Sequence, residues 1–143
     1  MIIDKFLQFD SGTAITSTAA SNNTIDLSQS RDIANGGDPA LQLVCTVVTA
    51  FTAAGAATLQ VQFQTSADNA SWTTLAQSDA IPVASLTAGT ELLRIGLPLG
   101  IQRYIRLNYV VATGPMTAGA ITAELVLDRQ AFAAYASGFN AAN

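Results

Sequence analysis

Three aspartates, Asp26, Asp32 and Asp38, recur through one stretch rich in turn residues, and oxygen-rich clusters of that kind suit a calcium ion. Their spacing matches no EF-hand loop, so they are expected to be solvated or capping carboxylates and not metal ligands. The chain contains no histidine, which excludes histidine-based triads, zinc sites of the histidine-containing kinds and the usual proton shuttle. A single cysteine excludes an intrachain disulfide and an all-cysteine zinc site. Cys45 falls within the alternation Leu41, Leu43, Cys45, Val47 and reads as a small core residue, because free cysteine is among the most buried residue types. The glycines fall singly except Gly36-Gly37, and no Lys-Ser/Thr follows that pair, so no phosphate-binding loop is present. Nothing singles out a pair of carboxylates for glycoside hydrolysis. The expectation is a protein that is not an enzyme, with no cofactor and no metal.

Residues suited to binding are easier to find. In LQVQFQTSADNASW the outward positions of a strand are the neutral amides Gln60, Gln62 and Gln64, where charged side chains are the ordinary choice. Tyr104, Arg106 and Asn108 alternate along the outer face of another strand, and Tyr and Arg are common interface anchors. Trp72 follows the turn SADNAS; a stacking role on a sugar is conceivable, but its large apolar area makes the core its expected place. The termini are rich in aromatic residues: Phe6 and Phe9 at the start, Phe132, Tyr135 and Phe139 at the end. Aromatic side chains are costly to leave in water, so these arms are expected to dock on something, with a neighbouring subunit favoured.

The elements that must position these residues are almost all strands. Leu59, Val61 and Phe63 alternate with the glutamines at the strand period of two. TIDL, LQLVCTVVTA, SWTTLAQ, DAIPVA, ELLRIGLP, IQRYIRLNYVVA and GAITAELVLD read as further strands separated by turn signals, and Pro82 suits an edge or a strand end. A hairpin centred near Ala54 would pair Val47 with Val61, Cys45 with Phe63 and Leu43 with Thr65. A second, centred at Pro115, would pair Ile105 with Leu125, Leu107 with Ala123 and Tyr109 with Ile121, and would set Arg106 across from Glu124. A sustained 3.6-residue period is absent apart from a turn or two in RQAFAAYASGF. The expected fold is all-β, an antiparallel β-sandwich of jelly-roll type. The expected organisation is a single domain over 1–143, with an N-terminal arm at 1–13 and a C-terminal arm at 130–143.

Composition narrows the partners. Charged residues make up 11% of the 143 residues, against roughly 25% in an ordinary soluble domain. Net charge is −4 with one lysine and five arginines, so the field that attracts nucleic acid or acidic lipid is missing. No stretch approaches the roughly 18 apolar residues of a membrane span, and the N-terminus lacks a signal-peptide pattern. The expectation is a protein made in the cytosol without a signal peptide, which stays there or leaves by a route that needs no signal, with no nucleic-acid or membrane partner. Charge depletion with retained neutral polarity is also the composition of surfaces buried between proteins, which points to assembly.

Four segments, MIIDKFLQFDSGTAITSTAASNNTIDLSQSRDIANG, AFTAAGAATLQVQFQTSADNASW, GLPLGIQRYIRLNYVV and AGAITAELVLDRQ, together resemble the small capsid cement (decoration) proteins of tailed bacteriophages typified by the Bordetella phage cement protein. The resemblance covers most of the chain in one order. It implies a jelly-roll protein on the outer surface of an HK97-type capsid, one that binds the major capsid protein, self-associates as a homo-oligomer, dimer or trimer, and ties adjacent capsomers together. Such a role needs contact area and no chemistry. The interface candidates Phe6, Phe9, Gln60, Gln62, Gln64, Tyr104, Arg106, Phe132, Tyr135 and Phe139 rest on this sequence and not on the resemblance. The alternative reading is a carbohydrate-binding β-sandwich module of a phage fibre or other surface structure.

Overall fold

The computed structural model of the chain describes residues 4–33 and 40–127. A short 3₁₀ turn at Lys5–Leu7 opens it, capped by the Asp4 carboxylate, which accepts from the Phe6 amide at 2.9 Å. Among the described residues ten strands follow: β1 (Gln8–Ala14), β2 (Ala19–Ala20), β3 (Ile25–Asp26), β4 (Leu41–Ala53), β5 (Thr58–Ser66), β6 (Thr73–Gln77), β7 (Ile81–Pro82), β8 (Glu91–Gly96), β9 (Tyr104–Ala112) and β10 (Met116–Leu127). One antiparallel sheet has the order β1-β10-β4-β8. The other runs β2-β9-β5-β6, with β3 also on β9 and β7 also on β5. The two sheets form an all-β sandwich of jelly-roll character.

Strand alternation builds the core between the sheets. Leu43, Cys45 and Val47 of β4 and Ile121, Ala123 and Leu125 of β10 point inward from the first sheet; Leu59, Val61 and Phe63 of β5 and Ile105, Leu107 and Tyr109 of β9 point inward from the second. All twelve are buried in one cluster. Cys45 sits there with its thiol pushed well above the ordinary range by burial, chiefly, and by the nearby Asp10, so it fills core volume and is not a nucleophile.

The two expected hairpins do not form. β4 hydrogen-bonds to β10 and β8, with Val47 opposite Ile121, Cys45 opposite Ala123 and Leu43 opposite Leu125. β5 lies in the other sheet, with Val61 opposite Tyr109, Phe63 opposite Leu107 and Thr65 opposite Ile105. The residues expected to pair across each hairpin are thus divided between the two sheets. The physical reason is burial: a hairpin would leave both apolar faces on one side of a single sheet, whereas crossing from sheet to sheet lets them cover each other. For the same reason Arg106 and Glu124 are not a cross-strand pair. Arg106 stands opposite Gln64 on β5, and Glu124 stands opposite Val44 on β4 and is buried.

Long strands that serve this geometry must bend. The β10–β4 ladder is interrupted by register shifts between Met116 and Ile121, and Gly119 sits in that irregular segment with φ +138. A Cβ at Gly119 would fall 2.2 Å from the Phe51 ring. The missing side chain lets Phe51 fold flat against β10 and close this end of the core, where it is 5% exposed.

The N-terminus departs from the expected arm. Gln8–Ala14 is strand β1, paired with β10, so of the described residues within 1–13 only 4–7 lie outside a sheet. Phe9, expected as an exposed arm residue, is 0% exposed in the core. The next residue, Asp10, is also buried, and its carboxyl accepts from the Tyr109 hydroxyl at 2.6 Å and from the Asn22 amide at 3.0 Å. That bond crosses the sandwich from one sheet to the other. Phe6 remains 88% exposed on the 3₁₀ turn.

Candidate interaction surface

Parity places the amides. With Leu59, Val61 and Phe63 inward, Gln60, Gln62 and Gln64 emerge from the outer face of the β2-β9-β5-β6 sheet, beside Tyr104, Arg106 and Asn108 of β9. Five of the expected interface residues therefore share one face, the three glutamines, Tyr104 and Arg106, with Asn108 beside them. Phe6 stands apart on the N-terminal turn, and Phe9 is core. Phe132, Tyr135 and Phe139, like Asp38 and the RQAFAAYASGF segment, lie outside the described residues.

These side chains bind each other. Asn108 Nδ2 donates to Gln62 Oε1 at 3.0 Å, and Arg106 Nε donates to Gln64 Oε1 at 2.9 Å. Longer amide contacts of 3.3–3.4 Å run from Gln62 to Gln60 and Gln77, and from Gln64 to Gln62 and Thr74. Gln60 Nε2 also donates to the Ser78 carbonyl at 2.9 Å. The result is a neutral network across three strands. It explains why the positions are amides: each Gln or Asn both donates and accepts, so a row of them links sideways where a row of like charges would repel. Gln64 is 8% exposed as a consequence.

Trp72 is not core. It is half-buried on this outer face, and the Arg106 guanidinium carbon lies 4.1 Å from its ring centroid, a stacked cation–π contact. Trp72 precedes β6, in which the adjacent Leu75 and Ala76 both pack on the core and the ladder to β5 shifts register, so strand alternation in the sequence did not reveal its side. The turn before Trp72 is held by Asp68, whose carboxylate accepts from the Ala70 and Ser71 amides and the Ser66 hydroxyl. Those bonds, the Ser71 amide first, hold its pKa well below the usual carboxylate range.

A second arginine–aromatic stack closes the end of the face. Arg103 lies 4.8 Å over the Tyr104 ring and forms a two-pronged pair with Asp26, both bonds at 2.8 Å. The Arg103 bond, followed by the Ser28 amide, lowers the Asp26 carboxyl to about 2. Asp32 is spent elsewhere, accepting from the Gly100 and Ile101 amides. Both aspartates therefore hold the fold together, as capping and pairing groups, and no group of three or more potential metal ligands occurs among the described residues.

The all-β sandwich carries an outer face of hydrogen-bonded amides beside two stacked arginines. The class of protein this describes is a structural β-sandwich protein. Residues 9–125 match the model of the Bbp16 family, a family of phage cement (decoration) proteins, and the chain belongs to that family. Its role is structural and capsid-associated, as the family is non-enzymatic. A comparison with curated proteins found no match.

Proposed function

We propose that this protein cements a phage shell: it binds the outer surface of an HK97-type capsid through the major capsid protein, associates with copies of itself as a dimer or trimer, and links adjacent capsomers. The match to the cement family over residues 9–125 carries this reading. The outer face of the β2-β9-β5-β6 sheet supports it physically. Covering an amide network costs less than covering charges, because its polar groups are already hydrogen-bonded. Gln60, Gln62, Gln64, Tyr104 and Arg106 are the contact residues proposed on that face, with Phe6 on the N-terminal turn and Phe132, Tyr135 and Phe139 near the C-terminus as further contacts. Synthesis takes place in the host cytoplasm, followed by attachment to the shell.

Co-sedimentation tests the reading. Purified protein is mixed with shells of its own phage stripped of surface proteins, and bound copies are counted after pelleting. Saturation at a fixed ratio to the capsid subunit is expected; protein that stays in the supernatant at all concentrations would overturn it.

The carbohydrate reading draws support from the outward Trp72. Against it, Arg106 already occupies one ring face at 4.1 Å, which removes the flat platform a sugar needs on that side.

A further inference from the structure

Arg106 differs from the other arginines of the described chain. Arg103 is neutralised by Asp26 at 2.8 Å, Arg94 faces Glu91 at 3.9 Å, and Arg31 is tied to the Leu27 carbonyl. Arg106 is half-buried at the centre of a neutral face, and no carboxylate of the described residues pairs with it. Its Nε is spent on Gln64 and one face of its guanidinium on Trp72, which fixes the plane of the group. The two terminal nitrogens have no acceptor among the described residues.

We infer that Arg106 is the charged anchor of the docking face and that it takes a carboxylate from the capsid subunit. The inference rests on the cement reading and names the chemistry of the partner at this point. A guanidinium held in plane by stacking presents its remaining N–H groups as a preformed fork, the geometry that matches a carboxylate. Covering that fork with a partner lacking an acceptor would leave a desolvated charge unpaired, which is strongly unfavourable. Isologous pairing of two copies on this face does not fit, because a two-fold axis near Arg106 would bring two guanidinium groups together. An acidic side chain on the shell meets the requirement, and the rest of the face supplies neutral contact around it.

The test uses Arg106→Gln and Arg106→Lys, with light scattering for self-association and co-sedimentation for shell affinity. Arg106→Gln is expected to weaken shell binding at least about tenfold and to leave the oligomer unchanged; Arg106→Lys restores only part of the loss, since lysine keeps the charge but not the planar fork. Wild-type protein supplies an independent readout that needs no variant. Arg106 should react with phenylglyoxal when free and be protected on shells, as read by peptide mass spectrometry. Undiminished binding by Arg106→Gln, or Arg106 equally reactive on and off the shell, would overturn the inference while leaving the cement reading intact. Loss of the oligomer alone would assign the face to self-association and overturn it too. Wild-type protein that never pellets with shells would defeat both.

Discussion

The Tyr109 hydroxyl donates to the buried Asp10 carboxyl at 2.6 Å, a side-chain bond that fastens the two sheets to each other through the core. A hydrogen bond to a carboxyl group contributes about 1.5–3 kcal/mol, and losing the donor leaves Asp10 buried with only the Asn22 amide. Tyr109→Phe should therefore lower stability by about 2 kcal/mol in chemical denaturation, with the fold retained; an unchanged midpoint would show that the bond contributes nothing. The surface carboxylates set the acid response. Asp26 binds its proton at about 2 in the folded chain against an ordinary value of 3.8, so between those values the unfolded chain holds more protons than the folded one. Stability should thus fall as pH drops from about 4 to 2, and Asp26→Asn should flatten that fall when thermal midpoints are measured across the window. At this scale the sequence was legible where a residue type admits one environment, as with Cys45. It misled where size was set against position: Trp72 has the area of a core residue yet stacks on Arg106 at the outer face, and Phe9 has the place of an arm residue yet is buried where β1 shifts register.

Among the elements, β10 carries the sharpest constraint. Gly119 has φ +138 and leaves no room for a Cβ against Phe51, so Gly119→Ala must both strain the backbone and displace a packed ring. The expected cost is about 1–3 kcal/mol, visible as a lower thermal midpoint; a variant as stable as the parent would mean that Phe51 is free to move. The strands themselves were legible from alternation, and so was the inward set of β4, β5, β9 and β10. Their partners were not. Alternation says which face a residue takes, but a strand's apolar face is served equally by a neighbour in its own sheet and by a sheet across the core. The turn near Ala54 and the turn at Pro115 were read as hairpins because sequence neighbours usually pair. In this sandwich both are crossings, and the Arg106–Glu124 pair vanished with them.

Over its described residues the molecule is a sandwich with few charges and an outer face of neutral amides around Arg106. Arg103 and Asp26 satisfy each other, and the glutamines of β5 bond sideways to Asn108, Gln77 and Thr74. Family membership over residues 9–125 makes the protein a capsid-associated one, and that face is its proposed contact. Composition pointed to assembly, but capsid association was legible only from the combined likeness of four segments, because a face of neutral amides has no motif of its own. The measurement that bears most directly on the cement role is the rupture temperature of stripped shells, read by light scattering with and without saturating protein. The account predicts a higher rupture temperature that rises with occupancy and levels off when binding saturates. Shells that bind the protein fully and rupture at the same temperature as bare ones would contradict it.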